Sequence, residues 1–287
     1  IALLDVAALA VDPLEHHAVR ALHALGHEEE MSAAANFRIS HGIRSTDGSW
    51  LTRVDPDQVN TIWEGPTIVL LRADLHPLLS DGPPSPASRS GVDVTSARGN
   101  DDGRWSVLSD REVIVDDADV VVAADGIRSD LRAVLWPESP GPVYTGSTAW
   151  RGVAPGIPGL ADASQTFGTG AEFGILPLAN GSVYWYASAA VPAGQVHADE
   201  KAHVLDLYRD WHDPISRLIA ATPTVIHSDI WSLPLVPESF VHDRVVLVGD
   251  AGHAMTPHLG QGGCTALEDG VVLAAEPRSL LGSANAG

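Results

Sequence analysis

Cysteine is almost absent from this 287-residue chain, with Cys264 standing alone. A disulfide framework and a thiolate metal cluster within the chain are therefore excluded. Lysine is as scarce, Lys201 being the single example, and 17 Lys and Arg face 37 Asp and Glu for a net charge of −20. Without a basic stripe there is no electrostatic footprint for nucleic acid. An anionic membrane surface is an equally poor partner. No apolar run approaches the roughly 20 residues of a membrane-spanning helix, and no secretory leader opens the sequence. The expectation is a cytoplasmic protein whose partner is a small molecule. Thirteen histidines are present, but His253 and His258 are five apart, the wrong spacing for two ligands on one helical face, and no metal site is expected. The first residue is Ile rather than Met, which suggests a fragment.

What is present fits a globular protein, 45% hydrophobic and 19% charged. Apolar spacing predicts an amphipathic helix over 14–26, with Leu14, Val19, Leu22 and Leu25 on one face and Gly26 as its stop. Short strands are expected within 36–54, a buried strand over 67–71, a helix over Ala73–Ser80 and a loop over 81–90. VDVTSA, RWSVLS and REVIVD read as a meander. The apolar strand 118–126 and a helix from Ser129 to Leu135, ended by Pro137, follow it. Between 143 and 190, STAWRGV, EFGILPL and SVYWYASAAV concentrate aromatic residues, the pattern of an antiparallel sheet with one aromatic face. One helix is expected over 200–220, a buried strand over 243–250 and a helix over 261–275. The fold class is α/β with mixed α+β character, strand–helix units bracketing an antiparallel block.

Two glycine turns carry the chemistry. In VVVAADGIRSDLR (120–132) a buried strand ends in Asp125-Gly126. An aspartate at the carboxyl end of such a strand points where ligands bind in open α/β sheets, although a plain capping aspartate explains it equally well. In RVVLVGDAGHAMTPHLGQGGCTALEDG (244–270) a second buried strand ends in Gly-Asp, and a helix opens after a glycine-rich loop. Gly260, Gly262 and Gly263 leave backbone N–H groups bare at that helix start, a ready anion site. Asp250 suits ligand hydroxyls. Together they suggest a nucleotide-type cofactor. Gly168-Thr169-Gly170 mimics a dinucleotide fingerprint, but no helix follows it, and it reads as a hairpin turn. His253 reads as a loop histidine that satisfies the backbone.

With these motifs the chain resembles the FAD-dependent aromatic-ring monooxygenases, the family of p-hydroxybenzoate hydroxylase. RADLHPLL (72–79), AADGIRSDLR (123–132) and VLVGDAGHAMTPHLGQGGCTALEDG (246–270) carry the likeness. GDAGH with GQGGC-x-A-x-ED looks most like the branch of urate hydroxylase, zeaxanthin epoxidase and salicylate hydroxylase. The resemblance implies an FAD-binding doubly wound fold interleaved with an antiparallel-sheet substrate domain. It divides the chain into an FAD-domain remnant with substrate-domain strands (1–72), FAD domain with meander (73–137), substrate domain (138–232) and FAD domain (233–287). It also implies residue roles. Arg72, Val94, Asp125, Gly126, Asp250, Gly260, Gln261, Gly262, Gly263 and Cys264 would contact the flavin, and Pro257 would line the face where oxygen reacts. Trp150, Arg151, Glu172 and Tyr184 would meet the substrate, Tyr184 also serving catalysis. A helix start near the ring's N1–C2=O edge would stabilise reduced flavin.

The implied reaction reduces FAD with NADH or NADPH, forms a flavin C4a-hydroperoxide from O₂ and inserts one oxygen atom into a small aromatic or unsaturated substrate. The family's first βαβ unit, about 30 residues, is not found, and the chain reads as truncated at both ends. Glu172 stands where the urate branch carries an arginine. The alternatives are a flavin-free, inactive fragment and an FAD-dependent reductase or dehydrogenase of the same fold.

Overall fold

The computed structural model describes residues 11–14, 16–34, 41–55, 68–80, 89–160 and 162–275. The chain is a mixed α/β protein with several sheets, divided into two compact units. Of the described residues, one unit takes 11–80 and 144–230, and the other takes 89–143 and 231–275. The sequence boundary expected between 72 and 73 therefore falls inside the first unit.

The first unit begins with β1 (Val11–Leu14), α1 (His16–Ala24) and α2 (Glu28–Ala34). The helix expected over 14–26 is shorter at both ends. Leu14 belongs to β1, where it pairs antiparallel with Ile68. Leu25 is exposed, because the chain turns at Gly26 with φ +90°. Val19 and Leu22 are buried as the periodicity requires. β2 (His41–Ser45) and β3 (Trp50–Val54) follow, then β4 (Ile68–Leu71) runs directly into α3 (Arg72–Ser80). Residues 36–40 and 81–88 of the expected strands and loop lie outside the described residues.

After residue 143 the same unit continues with β9 (Val143–Ala154), β10 (Ser164–Gly168), β11 (Ala171–Pro177), β12 (Val183–Ala189), α5 (Glu200–Leu207), α6 (Ile215–Ala221) and β13 (Ile226–Ser232). Seven strands join in the order β13-β9-β12-β11-β10-β2-β3. Successive side chains alternate between the two faces. Trp150, Phe173, Ile175, Val183 and Trp185 point to one face and pack under Val204, Tyr208, Ile215, Leu218 and Ile219. Phe173 and Trp185 stack at 5.3 Å. The single helix expected over 200–220 is instead two. Tyr208 closes α5, and Pro214, which has no N–H to continue a helix, precedes α6.

The second unit holds the meander β5 (Ser96–Gly99), β6 (Trp105–Ser109) and β7 (Glu112–Ala118), then β8 (Val121–Ala123) and α4 (Asp130–Leu135). Near the end of the chain come β14 (Val241–His242), β15 (Val245–Leu247), α7 (Asp250–His253), a 3₁₀ turn over Pro257–Leu259 and α8 (Gln261–Ala275). The order β14-β15-β8 sets β15 parallel to β8. The strands expected over 118–126 and 243–250 shrink to three residues each, and the loop expected between Asp250 and Gly260 contains α7 and the 3₁₀ turn. The core gathers Trp105, Trp136, Val121, Leu131, Val245 and Leu247. Both indole N–H groups find acceptors, Trp105 at Asp243 (2.8 Å) and Trp136 at the Ser239 carbonyl (2.8 Å).

Candidate functional site

The first glycine turn explains each letter of its motif. Gly126 has φ +78°, a conformation that side chains disfavour. Ser129 caps α4, its Oγ accepting the Arg132 N–H at 2.9 Å. Asp125 Oδ2 accepts the Leu131 N–H at 3.2 Å. Asp125 therefore helps to cap, but its Oδ1 is buried and has no hydrogen-bond partner among the described residues. Arg132 is 3% exposed and donates to the carbonyls of Ala251 (2.7 Å) and Ile127 (2.6 Å). Burial lowers its pKa, and the Asp125 charge opposes that shift.

The second turn lies beside the first. β15 runs parallel to β8, and the Val248 N–H donates to the Ala123 carbonyl at 3.0 Å. Both aspartates therefore follow the carboxyl ends of adjacent parallel strands. Gly249 has φ +56° and ψ −140°, and a Cβ there would press on Ala266 Cβ at 3.3 Å. Its N–H donates to Asp269 Oδ2 at 2.7 Å. His253 Nε2 lies 2.7 Å from the same oxygen, so this histidine pairs with a carboxylate of α8 rather than satisfying the backbone. His253 Nδ1 is buried without a partner among the described residues. Asp250 itself is exposed at the start of α7.

Beyond α7, Pro257 is exposed, and Gly260 (φ +65°) donates its N–H to the Pro257 carbonyl. Gln261, Gly262 and Gly263 form the half-buried first turn of α8. N–H groups at such a start have no acceptor within the helix. Cys264 is fully buried, its S–H reaching the Gly260 carbonyl at 3.6 Å, a packing role and not that of an exposed nucleophile. Val94 lies ahead of β5 rather than on a strand and packs against the core.

In the first unit the four residues expected to meet substrate do not share a face. Adjacent residues of a strand point opposite ways, so Trp150 and Arg151 separate. Trp150 is 1% exposed in the core under the helices, and its N–H donates to Glu200 Oε2 at 2.9 Å. Arg151, Glu172 and Tyr184 stand on the other face, by alternation and by the β9–β12–β11 register. Arg151 Nη1 donates to Ser228 Oγ at 3.1 Å. Glu172 is buried and accepts from Gln165 Nε2 (2.9 Å) and Ser188 Oγ (3.0 Å). Tyr184 packs with Val69 and Leu178. Arg72 opens α3 and is exposed.

Residues 13–277 match the family model described as FAD binding domain. The chain belongs to that FAD-binding family. Aurachin C monooxygenase/isomerase of Stigmatella aurantiaca is 34% identical over 267 residues, 91% of this chain and 68% of that protein. The 2-heptyl-3-hydroxy-4(1H)-quinolone synthase of Pseudomonas aeruginosa is 36% identical over 216 residues, 72% of this chain and 55% of its own length. The chain thus spans about two thirds of the first of these relatives and about half of the second, and a smaller share of other curated relatives it matches. The crystal structure of Klebsiella pneumoniae HpxO complexed with FAD and uric acid aligns with a TM-score of 0.82 at 25% identity, over 96% of this chain and 72% of that one. Oxidoreductase relatives of the monooxygenase type thus stand behind the family assignment.

The FAD-binding family member has residues that fit the cofactor. The buried, unpartnered Asp125 Oδ1 accepts hydrogen bonds only and calls for a donor such as a hydroxyl or N–H. Asp250 adds an exposed acceptor. The glycine start of α8 supplies donors for an anionic or electron-rich group. Reading the sequence missed Asp269 and the Arg132 bridge as working parts, although both letters stood inside the motifs that were read. No helix among the described residues is long and apolar enough to cross a membrane, and no three or more of their His, Cys, Asp and Glu side chains gather into a metal-holding cluster.

Proposed function

We propose that the chain works as an FAD-dependent monooxygenase that places one oxygen atom of O₂ on a small aromatic or unsaturated molecule, with NADH or NADPH as reductant, in the cytoplasm. The observation that carries this reading is the half-buried Asp125 carboxylate, whose Oδ1 is buried and unsatisfied among the described residues, beside a second strand-end aspartate. FAD, when bound, supplies the transfer of electrons from the nicotinamide to O₂.

The chain's own residues bind and orient. Asp125 and Asp250 would hold the cofactor by accepting hydrogen bonds from its donor groups. The first turn of α8, Gln261 to Cys264, would help hold the cofactor, its unpaired N–H groups and the positive end of the helix being suited to the negative charge of a reduced flavin. Pro257 and Gly260 shape the approach to it. Asp269 fixes the Gly249 N–H, and Arg132 fixes the Ala251 carbonyl, so neither turn must be ordered when ligand arrives. On the sheet, Arg151, Glu172 and Tyr184 hold the substrate.

The test is an absorbance spectrum of the purified chain incubated with FAD, beside Asp250→Ala, followed by NADH and NADPH oxidation with product analysis. A perturbed flavin spectrum that the variant loses, with oxygenated product, supports the proposal. Absence of bound flavin overturns it. Oxidation of NAD(P)H with no oxygenated product from any aromatic tested favours a reductase.

A further inference from the structure

The two faces of the seven-stranded sheet are closed differently. On one, Tyr186 lies over Gly174 of the next strand, where a Cβ would overlap its ring. On the other, α5 and α6 cover an apolar core, but the first turn of α5 meets the sheet through a polar cluster. Glu200 is its centre. Its Oε2 accepts the Trp150 indole N–H at 2.9 Å, and its Oε1 accepts the His197 backbone N–H at 2.8 Å and lies 3.4 Å from His227 Nδ1. His227 stacks on Trp150 with ring centres 5.5 Å apart, and His203 lies 5.6 Å from the same residue. His197 and His203 stack on each other at 3.5 Å. Imidazoles from β13, α5 and the segment before α5 thus crowd around one carboxylate and one indole.

The Nε2 atoms of His197, His203 and His227 are all buried without a hydrogen-bond partner among the described residues. A neutral imidazole tolerates this, because one of its nitrogens carries no hydrogen. In the imidazolium both nitrogens carry one, so each added proton would leave a buried, charged N–H with no acceptor, a costly state. Glu200 balances one positive charge, not three, and the stacked His197 and His203 would repel if both were charged. The His203 pKa is lowered first by burial, then by the His197 charge, with Glu200 opposing and His227 adding to the shift. Burial raises the Glu200 pKa, but the bonds from His197 and Trp150 and the neighbouring histidine charges outweigh it and leave the pKa lowered. The other charged groups on the elements packed here are engaged elsewhere. Lys201 donates to the Thr222 carbonyl (3.2 Å), Asp199 caps α5 at the Ala202 N–H (2.9 Å), and Arg217 of α6 pairs with Asp213 (3.1 Å). Asp229 of β13 accepts from Thr148 Oγ1 (2.7 Å) and the Gly194 N–H (2.8 Å). β9 brings Trp150 to this face and no charge, Arg151 pointing to the other.

The same contacts bound the piece that can move. Asp229 pins the chain at Gly194, which has φ +74°, and the fully buried Val204 anchors α5 in the core. His197, Glu200 and His203 all lie between these two points.

We infer that His197, His203 and His227 around Glu200 form an acid-operated latch, whose protonation releases residues 195–203 from the sheet about Gly194 while the core under α5 and α6 stays closed. Opening lets each imidazolium reach water, and a local opening of this kind costs less than global unfolding. The latch does not depend on the flavin reading.

The experiment is hydrogen–deuterium exchange of the full chain across a pH series, read by mass spectrometry and corrected for the intrinsic pH dependence of exchange. Peptides covering 195–203 are compared with peptides covering α6. The expected result is an opening equilibrium over 195–203 that rises at least about tenfold between about pH 8 and about pH 5.5, the linkage of one proton held only by the open form. α6 should show no matching rise. His203→Gln and His227→Gln should each weaken the response, and the triple variant with His197→Gln should abolish it. Opening over 195–203 that ignores pH, an equal rise in α6, or a response that survives in the triple variant overturns the inference. Should the triple variant not fold, the comparison of 195–203 with α6 in the unaltered chain decides alone.

Discussion

The two glycine turns of the second unit look alike in sequence and differ in the work their aspartates do. Each ends a parallel strand, each holds a glycine with positive φ, and each leads into a helix. Yet Asp125 is half-buried and shared between a helix cap and an unsatisfied oxygen, whereas Asp250 is exposed and makes no cap bond. In the second turn a remote carboxylate, Asp269, does the structural holding. In the proposed reading, one turn combines stability and binding in a single side chain, and the other divides them between two.

Breaking the link between the turns should have the largest effect. Arg132→Ala removes two bonds from a charged donor to backbone carbonyls and should cost about 3 kcal/mol or more, read as a fall in the midpoint of chemical denaturation. Arg132→Lys keeps the charge but not the fork and should recover only part of it.

Gly249→Ala comes next. An alanine forced to φ +56° and ψ −140° is strained by about 1–3 kcal/mol. It also turns the N–H away from Asp269, so stability and flavin affinity should fall together in paired denaturation and flavin titrations. A variant that lost neither would show that the second turn tolerates an ordinary backbone.

The two aspartates then sharpen the contrast. Asp125→Ala should lose about 1 kcal/mol through the cap and flavin affinity as well. Asp250→Ala should stay within about 0.5 kcal/mol of the unaltered chain while its flavin affinity falls at least about tenfold. Equal destabilisation by both would erase the distinction drawn above.

The smallest effect belongs to the sheet unit. The pKa of His203 is lowered from 6.5, first by burial and then by His197. A depressed histidine binds fewer protons folded than unfolded. Its contribution is therefore complete above 6.5 and is lost as pH falls below it toward the folded value. Denaturation midpoints should be flat above that point and decline below it, and His203→Gln should flatten the decline.

Much of this was legible in the sequence, and the misses have physical causes. α8 runs over the residues its pattern predicts, because nothing interrupts its apolar spacing. Ser129 and Gly126 are legible because caps and positive φ leave local signatures. The helix over 200–220 failed at Pro214, a breaker present in the sequence but overridden by the surrounding periodicity. Trp150 and Arg151 could not both face one ligand, a fact that strand alternation alone would have revealed. The partnership of His253 with Asp269 was not legible, because the two are 16 residues apart and only the fold brings them together.

The packing of Tyr186 on Gly174 also has a meaning for how this sequence can change. Neither position is free to vary alone. Any side chain at Gly174 collides with the ring, and a smaller residue at Tyr186 leaves the glycine under a gap. Changes of bulk on this face are reached through paired steps, the ring shrinking before the glycine grows, and homologous chains should show the two positions exchanging bulk rather than drifting separately.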